Sequence, residues 1–124
     1  MAKILVIDTE ECVRYLLDSL LSRKGYTVTL AANSREGLEL FRREPPDAIV
    51  LDLKTPMMDE LATLQQIRLV NQKVPVIVLT TMNTLEMGQQ VTASGVTEFM
   101  DKEFSLSRIG DSLKRHLNIT GIET

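Results

Sequence analysis

Asp8, Asp52, Thr80 and Lys102 each stand at the end of a short, strongly apolar run or just beyond one. Two carboxylates, a hydroxyl and an ammonium from separate segments are a set that can handle a phosphoryl group. The carboxylates would repel one another unless a cation lay between them. A hard, oxygen-preferring ion such as Mg²⁺ suits that place. Thr80 and Lys102 carry the groups one would set around a phosphoryl oxygen. Each residue also has a plainer reading. Asp8 can cap the first helix, with Glu11 three residues on. Thr80 can bond backbone at a strand end, Lys102 can be a solvated loop lysine, and Phe99 can simply pack in the core. Asp52 has the weakest plain reading. It follows Ile49-Val50-Leu51 directly, and a desolvated carboxylate is costly without a purpose.

These residues need elements to carry them. Ile4–Ile7, Tyr26–Ala31, Ala48–Leu51, Val74–Leu79 and, more weakly, Thr97–Asp101 read as strands. The first, third and fourth runs are apolar at nearly every position, which predicts central parallel strands buried on both faces. The segments between them have helical spacing. Val13, Leu16, Leu17, Leu20 and Leu21 form one stripe, which Gly25 ends as a C′ residue would. Asn33 or Ser34 caps the next helix, Asn33 having Glu36 at capping-box distance, and Pro45-Pro46 stops it. Leu61, Leu64 and Ile67 mark a third helix, and residues 84–94 a poorer fourth with Leu85, Met87 and Val91. Ser105 is placed to cap the last helix, whose stripe is Leu106, Ile109, Leu113 and Leu117.

The order βαβαβαβαβα predicts an α/β fold, a doubly wound parallel sheet with helices on both faces. Right-handed crossovers bring every strand's carboxyl end to one edge, where open sheets bind ligands. The domain is expected over residues 1–119, with 120–124 a short tail.

The bulk composition agrees with an ordinary globule. In 124 residues, 44% are hydrophobic and 25% charged. The net charge of −3 argues against direct nucleic-acid binding, which favours a basic stripe. Cys12 is the sole cysteine, so neither an intrachain disulfide nor a zinc cluster can form. It reads as a packing residue on the first helix. The apolar start is too short to span a membrane, and a cytoplasmic setting is expected. His116 reads as a helix-end residue with no acidic partner spaced for it, and so takes no catalytic role. The six methionines are scattered and read as gap-fillers.

Lys3–Asp8, then Pro46–Asp52 followed by Pro56, then Val74–Thr80, then Gly95 and Lys102 closely resemble the response-regulator receiver domain, the CheY-like family. The resemblance covers nearly the whole chain. It implies a flavodoxin-like three-layer sandwich with five strands in the order 2-1-3-4-5. It implies that Asp52 accepts a phosphoryl group from a sensor histidine kinase or phosphotransfer protein. Asp8, Asp52 and the backbone carbonyl of Lys54 would hold Mg²⁺. Thr80 and Lys102 would contact the phosphoryl group, and Thr80 with Phe99 would form the switch. Self-catalysed phosphorylation and dephosphorylation would be the domain's only enzymatic chemistry. The face of the fourth helix, fifth strand and fifth helix would report to an output protein or domain, and would support weak homodimers.

The sequence departs from that family at informative places. Thr9 stands where a second acid is usual, which lowers the site's charge and its expected Mg²⁺ affinity; Glu10, one residue on, is a candidate substitute. Glu103 stands where a proline preceded by a cis bond is usual. A cis bond before a non-proline costs about 3 kcal/mol, so a trans bond and a reshaped loop are expected. Glu60 replaces a glycine, which would strain any backbone needing positive φ and shift the start of the third helix. Lys54 is placed to pair with Asp52 and offset the missing metal charge.

Two functional classes follow: a phosphoacceptor signalling domain, or a pseudo-receiver that binds partners on the same fold without phosphorylation. A flavin carrier is excluded. Thr9-Glu10-Glu11-Cys12 puts acids where flavin phosphate needs a Gly/Ser/Thr-rich loop, and the chain has no Trp and two Tyr for stacking. No output domain accompanies the receiver, so the chain reads as stand-alone or as part of a longer regulator.

Overall fold

The computed structural model describes residues 2–53, 58–80 and 95–119; positions 52, 53, 58–61, 80, 99, 101–107 and 119 are described by backbone alone. The elements are β1 (Lys3–Ile7), α1 (Glu11–Arg23), β2 (Thr27–Ala31), α2 (Ser34–Arg43), β3 (Ala48–Leu53), α3 (Met58–Val70), β4 (Val76–Thr80), β5 (Glu98–Asp101) and a C-terminal helix, Lys102–Ile119. The expected fourth helix at 84–94 and the tail at 120–124 lie outside the described residues.

All five strands are parallel, in the order β2-β1-β3-β4-β5. The three apolar runs are the three central strands, as their two-sided hydrophobicity requires. Alternate residues of each strand enter opposite cores. Leu17 and Leu21 of α1 and Ile109, Leu113 and Leu117 of the C-terminal helix cover Ile4, Val6, Val50, Ile77 and Leu79. On the other face, Phe41 of α2 and Leu64 and Ile67 of α3 cover Leu5, Ile7, Ile49, Leu51, Val76 and Val78. Each such aliphatic side chain contributes about 1.5–3 kcal/mol on burial, enough in sum to hold both helical layers on the sheet.

Local signals place the helix ends. Gly25, at φ 96°, follows α1; its N–H bonds the Ser22 carbonyl while the Tyr26 N–H bonds that of Leu21. This is a Schellman closure, in which the left-handed residue costs glycine little. Asn33 caps α2, its side chain accepting the Glu36 N–H at 2.8 Å.

Five local expectations are corrected. Leu16 is 52% exposed and Cys12 is exposed, so the buried stripe of α1 is narrower than its leucines suggest. Glu60 lies inside α3, and no non-glycine residue among those described has positive φ, so it imposes no strain there. Ser105 is not the cap of the last helix, which starts at Lys102. Asp8 is not the N-cap of α1; Glu10 occupies that position.

Candidate functional site

The strand order reverses direction between β1 and β3, and an open sheet offers a crevice at the carboxyl ends flanking such a point. Ile7 is in register with Leu51, so Asp8 and Asp52 occupy the next positions along those two strands. Leu53 is in register with Thr80, and Thr80 with Asp101, after which comes Lys102. Adjacent strands lie about 4.8 Å apart, so the backbones from Asp8 to Lys102 line up across roughly 14 Å of one sheet edge. The fold therefore brings the four sequence-predicted residues to a common rim. Phe99 of β5, which the family resemblance makes a switch position, pairs with Val78 of β4, so β4 separates it from β3 and the acids' crevice.

Asp8 is the best defined of these. It is 2% exposed. Its N–H bonds the Ala31 carbonyl at 3.1 Å, extending the β1–β2 ladder by one step. Its Oδ1 accepts the Glu10 N–H at 2.8 Å, an Asx turn that leads the chain from strand to helix. Its carbonyl accepts from Nη1 of Arg14 at 2.8 Å. Glu10 is half-buried with extended backbone and makes no side-chain capping bond; Thr9 is exposed.

The candidate metal donors are all oxygens: the Asp8 and Asp52 carboxylates and the carbonyl of position 54, which lies outside the described residues together with the Lys54 ammonium. Such a hard set fits Mg²⁺, and Asp8's withdrawal from solvent with one oxygen already fixed suits a ligand. Thr9 adds no charge to it.

Lys102 opens the C-terminal helix rather than lying in a loop. No cis peptide bond occurs among the described residues, so the Lys102–Glu103 bond is trans, as the missing proline predicts. With glutamate there, nothing forces a kinked loop between strand and helix, and helical dihedrals begin at once.

Two clusters escaped the reading of the sequence. Glu98 on β5 receives Ser112 Oγ at 2.9 Å, His116 Nε2 at 2.8 Å and the Arg115 guanidinium, all on one carboxylate oxygen. Burial pushes the Glu98 pKa up, but the hydrogen bonds from His116, Ser112 and Arg115, with Arg115's charge, outweigh it and hold it below its ordinary value. His116 thus has an acidic partner after all, supplied 18 residues away in sequence. Arg68, in the last turn of α3, bonds the carbonyls of Gly95 (2.8 Å), Val74 (2.7 Å) and Asn71 (3.2 Å) and the Thr97 hydroxyl (3.3 Å). Burial lowers its pKa, though a guanidinium stays charged near neutral pH. No spacing rule reveals either cluster, because their partners come from different elements.

Comparison with known proteins shows the family. The family model of the response regulator receiver domain matches residues 4–114. Sporulation initiation phosphotransferase F of Bacillus subtilis (strain 168) is 31% identical over 115 residues, 93% of each chain. Response regulator MprA of Mycolicibacterium vanbaalenii is 35% identical over 107 residues, 86% of this chain but 46% of that one, so the chain spans about half of that relative's length. Among solved structures, response regulator TrrA of Thermotoga maritima, in complex with Mg²⁺–BeF, superimposes with a TM-score of 0.82 at 28% identity, covering 94% of this chain and 99% of that one. The chain belongs to the response regulator receiver domain family of two-component systems. No helix among the described residues is long and apolar enough to cross a membrane.

Proposed function

We propose that this receiver domain accepts a phosphoryl group on Asp52, with Mg²⁺, from a histidine kinase or phosphotransfer protein, and passes the signal to an output protein or domain. The observation that carries this reading is the register that lines Asp8, Asp52, Thr80 and Lys102 along one carboxyl edge in a chain of this family. A carboxylate oxygen of Asp52 attacks phosphorus; the bond to the phosphohistidine nitrogen breaks, and the histidine leaves with the bonding pair. Bound Mg²⁺ supplies positive charge that offsets the phosphoryl oxygens and the paired acids. Asp8 holds one side of that site. Thr80 and Lys102 donate to the transferred group, aligning it and spreading its charge. Relatives' names support the reading: one is called a phosphotransferase, and TrrA holds Mg²⁺ with a fluoroberyllate. The role is that of a signalling switch rather than an enzyme acting on a separate substrate.

A pseudo-receiver is the second reading, supported by Thr9 in place of an acid and by Lys102 lying in the first turn of a helix. One experiment separates them. The chain is incubated with Mg²⁺ and acetyl phosphate and its intact mass recorded. The phosphoacceptor reading requires an added phosphoryl mass that is absent in Asp52→Asn. No adduct, together with no binding of beryllofluoride, leaves the pseudo-receiver.

A further inference from the structure

We propose that Arg14 is a positioning residue for the acid rim: its bond to the Asp8 carbonyl fixes the corner between β1 and α1 and so aims the Asp8 carboxylate at Mg²⁺. The inference rests on the reading of Asp8 as one side of the Mg²⁺ site. Asp8 stands one step past β1, where the chain must turn into α1. The bonds of that turn are short and few. The Asp8 N–H is held by the Ala31 carbonyl at 3.1 Å. Asp8 Oδ1 accepts the Glu10 N–H at 2.8 Å. The Asp8 carbonyl accepts from Nη1 of Arg14 at 2.8 Å, and the Arg14 N–H bonds the Glu10 carbonyl at 3.1 Å as the first turn of α1 closes. Asp8, Glu10 and Arg14 are thus joined in one hydrogen-bonded ring.

The peptide between Asp8 and Thr9 is the pivot of this ring. It carries the carbonyl that Arg14 holds, and the Glu10 N–H follows one residue later. Rotation of that peptide would withdraw the Glu10 N–H from Oδ1, and the carboxylate would lose a donor that sets its plane. Thr9 is exposed, so packing at that residue does not hold the corner. Arg14 is half-buried, and its guanidinium is drawn onto a main-chain oxygen. A bond from a charged donor is shorter and stronger than a neutral one. The charge and the bond of Arg14 act in opposite directions on a divalent cation. The charge repels the ion, but water and salt at the open edge of the sheet screen that repulsion. The bond presents Asp8 to the ion, and losing an outer partner of a metal ligand usually lowers affinity by roughly ten- to a hundred-fold. With Thr9 in place of an acid, the site depends more on the acids it has being well placed. Geometry therefore outweighs charge at Arg14.

Titration of Mg²⁺ alone into the unphosphorylated full chain, followed by amide NMR at about 0.15 M salt to screen the charge effect, tests this. Arg14→Met keeps the stem and removes both donor and charge; it should bind Mg²⁺ roughly ten-fold more weakly or worse. Arg14→Lys keeps the charge and a donor on a stem of similar length, and should stay near the wild type. Arg14→Met binding as tightly as the wild type, or more tightly, would overturn the proposal. So would Arg14→Lys falling as far as Arg14→Met, or a wild type that binds no Mg²⁺. Hydrogen exchange in the metal-free chain gives a second readout. The Glu10 amide should exchange faster in Arg14→Met, while the Asp8 amide, on the Ala31 carbonyl, keeps its protection. Both amides accelerating by the same factor would mean general loosening and would also overturn it. Labelling with acetyl phosphate separates this proposal from the phosphoacceptor reading. A chain that takes no phosphoryl group, yet loses Mg²⁺ affinity in Arg14→Met, keeps the positioning role and drops the acceptor. A chain that is labelled, with Mg²⁺ affinity unchanged in Arg14→Met, does the reverse.

Discussion

The two ends of the parallel sheet use charge in opposite ways. At the amino end, charges are spent on holding the fold. Arg68 reaches four acceptors in the segments around β4 and β5. Asp47 accepts the Lys3 N–H at 2.7 Å and returns its own N–H to the Lys3 carbonyl at 2.8 Å. At the carboxyl end, acids are gathered: Asp8 follows β1 with its Oδ1 accepting the Glu10 N–H, Asp52 lies in β3, and Glu10 and Glu11 begin α1. Like charges brought together raise the free energy of the fold, and that arrangement is useful only if a cation joins them. One end is thus built for stability, and the proposed chemistry falls at the other. Substitutions should separate the two.

The largest contrast is expected at Asp8. Asp8→Asn keeps an oxygen for the Glu10 N–H but removes the charge. Adduct formation at limiting Mg²⁺ should slow by roughly ten- to a hundred-fold, the scale on which disturbed metal sites usually lose function. Its urea midpoint should hold or rise, since a repulsion has been relieved. A lower midpoint would show that the acid was structural.

At the other end the effects should reverse. Arg68→Ala leaves the Val74 and Gly95 carbonyls without their donor and should cost about 2 kcal/mol in urea unfolding, with the adduct still formed. Gly95→Ala should cost about 1 kcal/mol or more. Gly95 sits at φ 92°, and an added Cβ would lie 3.2 Å from Cγ of Arg68. A loss of phosphorylation in either variant with unchanged stability would break the separation between the two ends.

The smallest effect concerns acid. Glu98 has its pKa held below its ordinary value of 4.5. Its contribution to stability is therefore complete above that value and is lost as pH falls through the lowered one. Glu98→Gln should flatten this acid-side decline in stability measured by urea unfolding below pH 5, and leave the neutral-pH adduct unchanged. An unaltered slope would mean that the three donors on Glu98 do not favour its charged form.

Much of the fold could be read along the chain because its signals are local. The apolar runs identified the three central strands, and Asn33, Gly25 and Pro45-Pro46 marked helix ends through their own backbone preferences. The rim of Asp8, Asp52, Thr80 and Lys102 was legible because parallel strands must present equivalent ends at one edge. Leu16 and Cys12 were misread because periodicity shows which residues could be buried, not how much sheet is available to cover them. Ser105 has the chemistry of a cap, yet helix continuity from Lys102 prevailed once Glu103 imposed no turn.

The sequence by itself determined the alternation of elements, the strand order through its family pattern, and the residue types at the carboxyl edge. These depend on hydrophobic period and chain direction, which a linear pattern carries. Only the tertiary structure decided that Arg68 would clamp the amino end, that Glu98 would collect three donors, and that Leu69 and Val70 would lie exposed at the end of α3. Those outcomes depend on which elements become neighbours, and a side chain's partners are set by packing across the fold rather than by spacing along the chain.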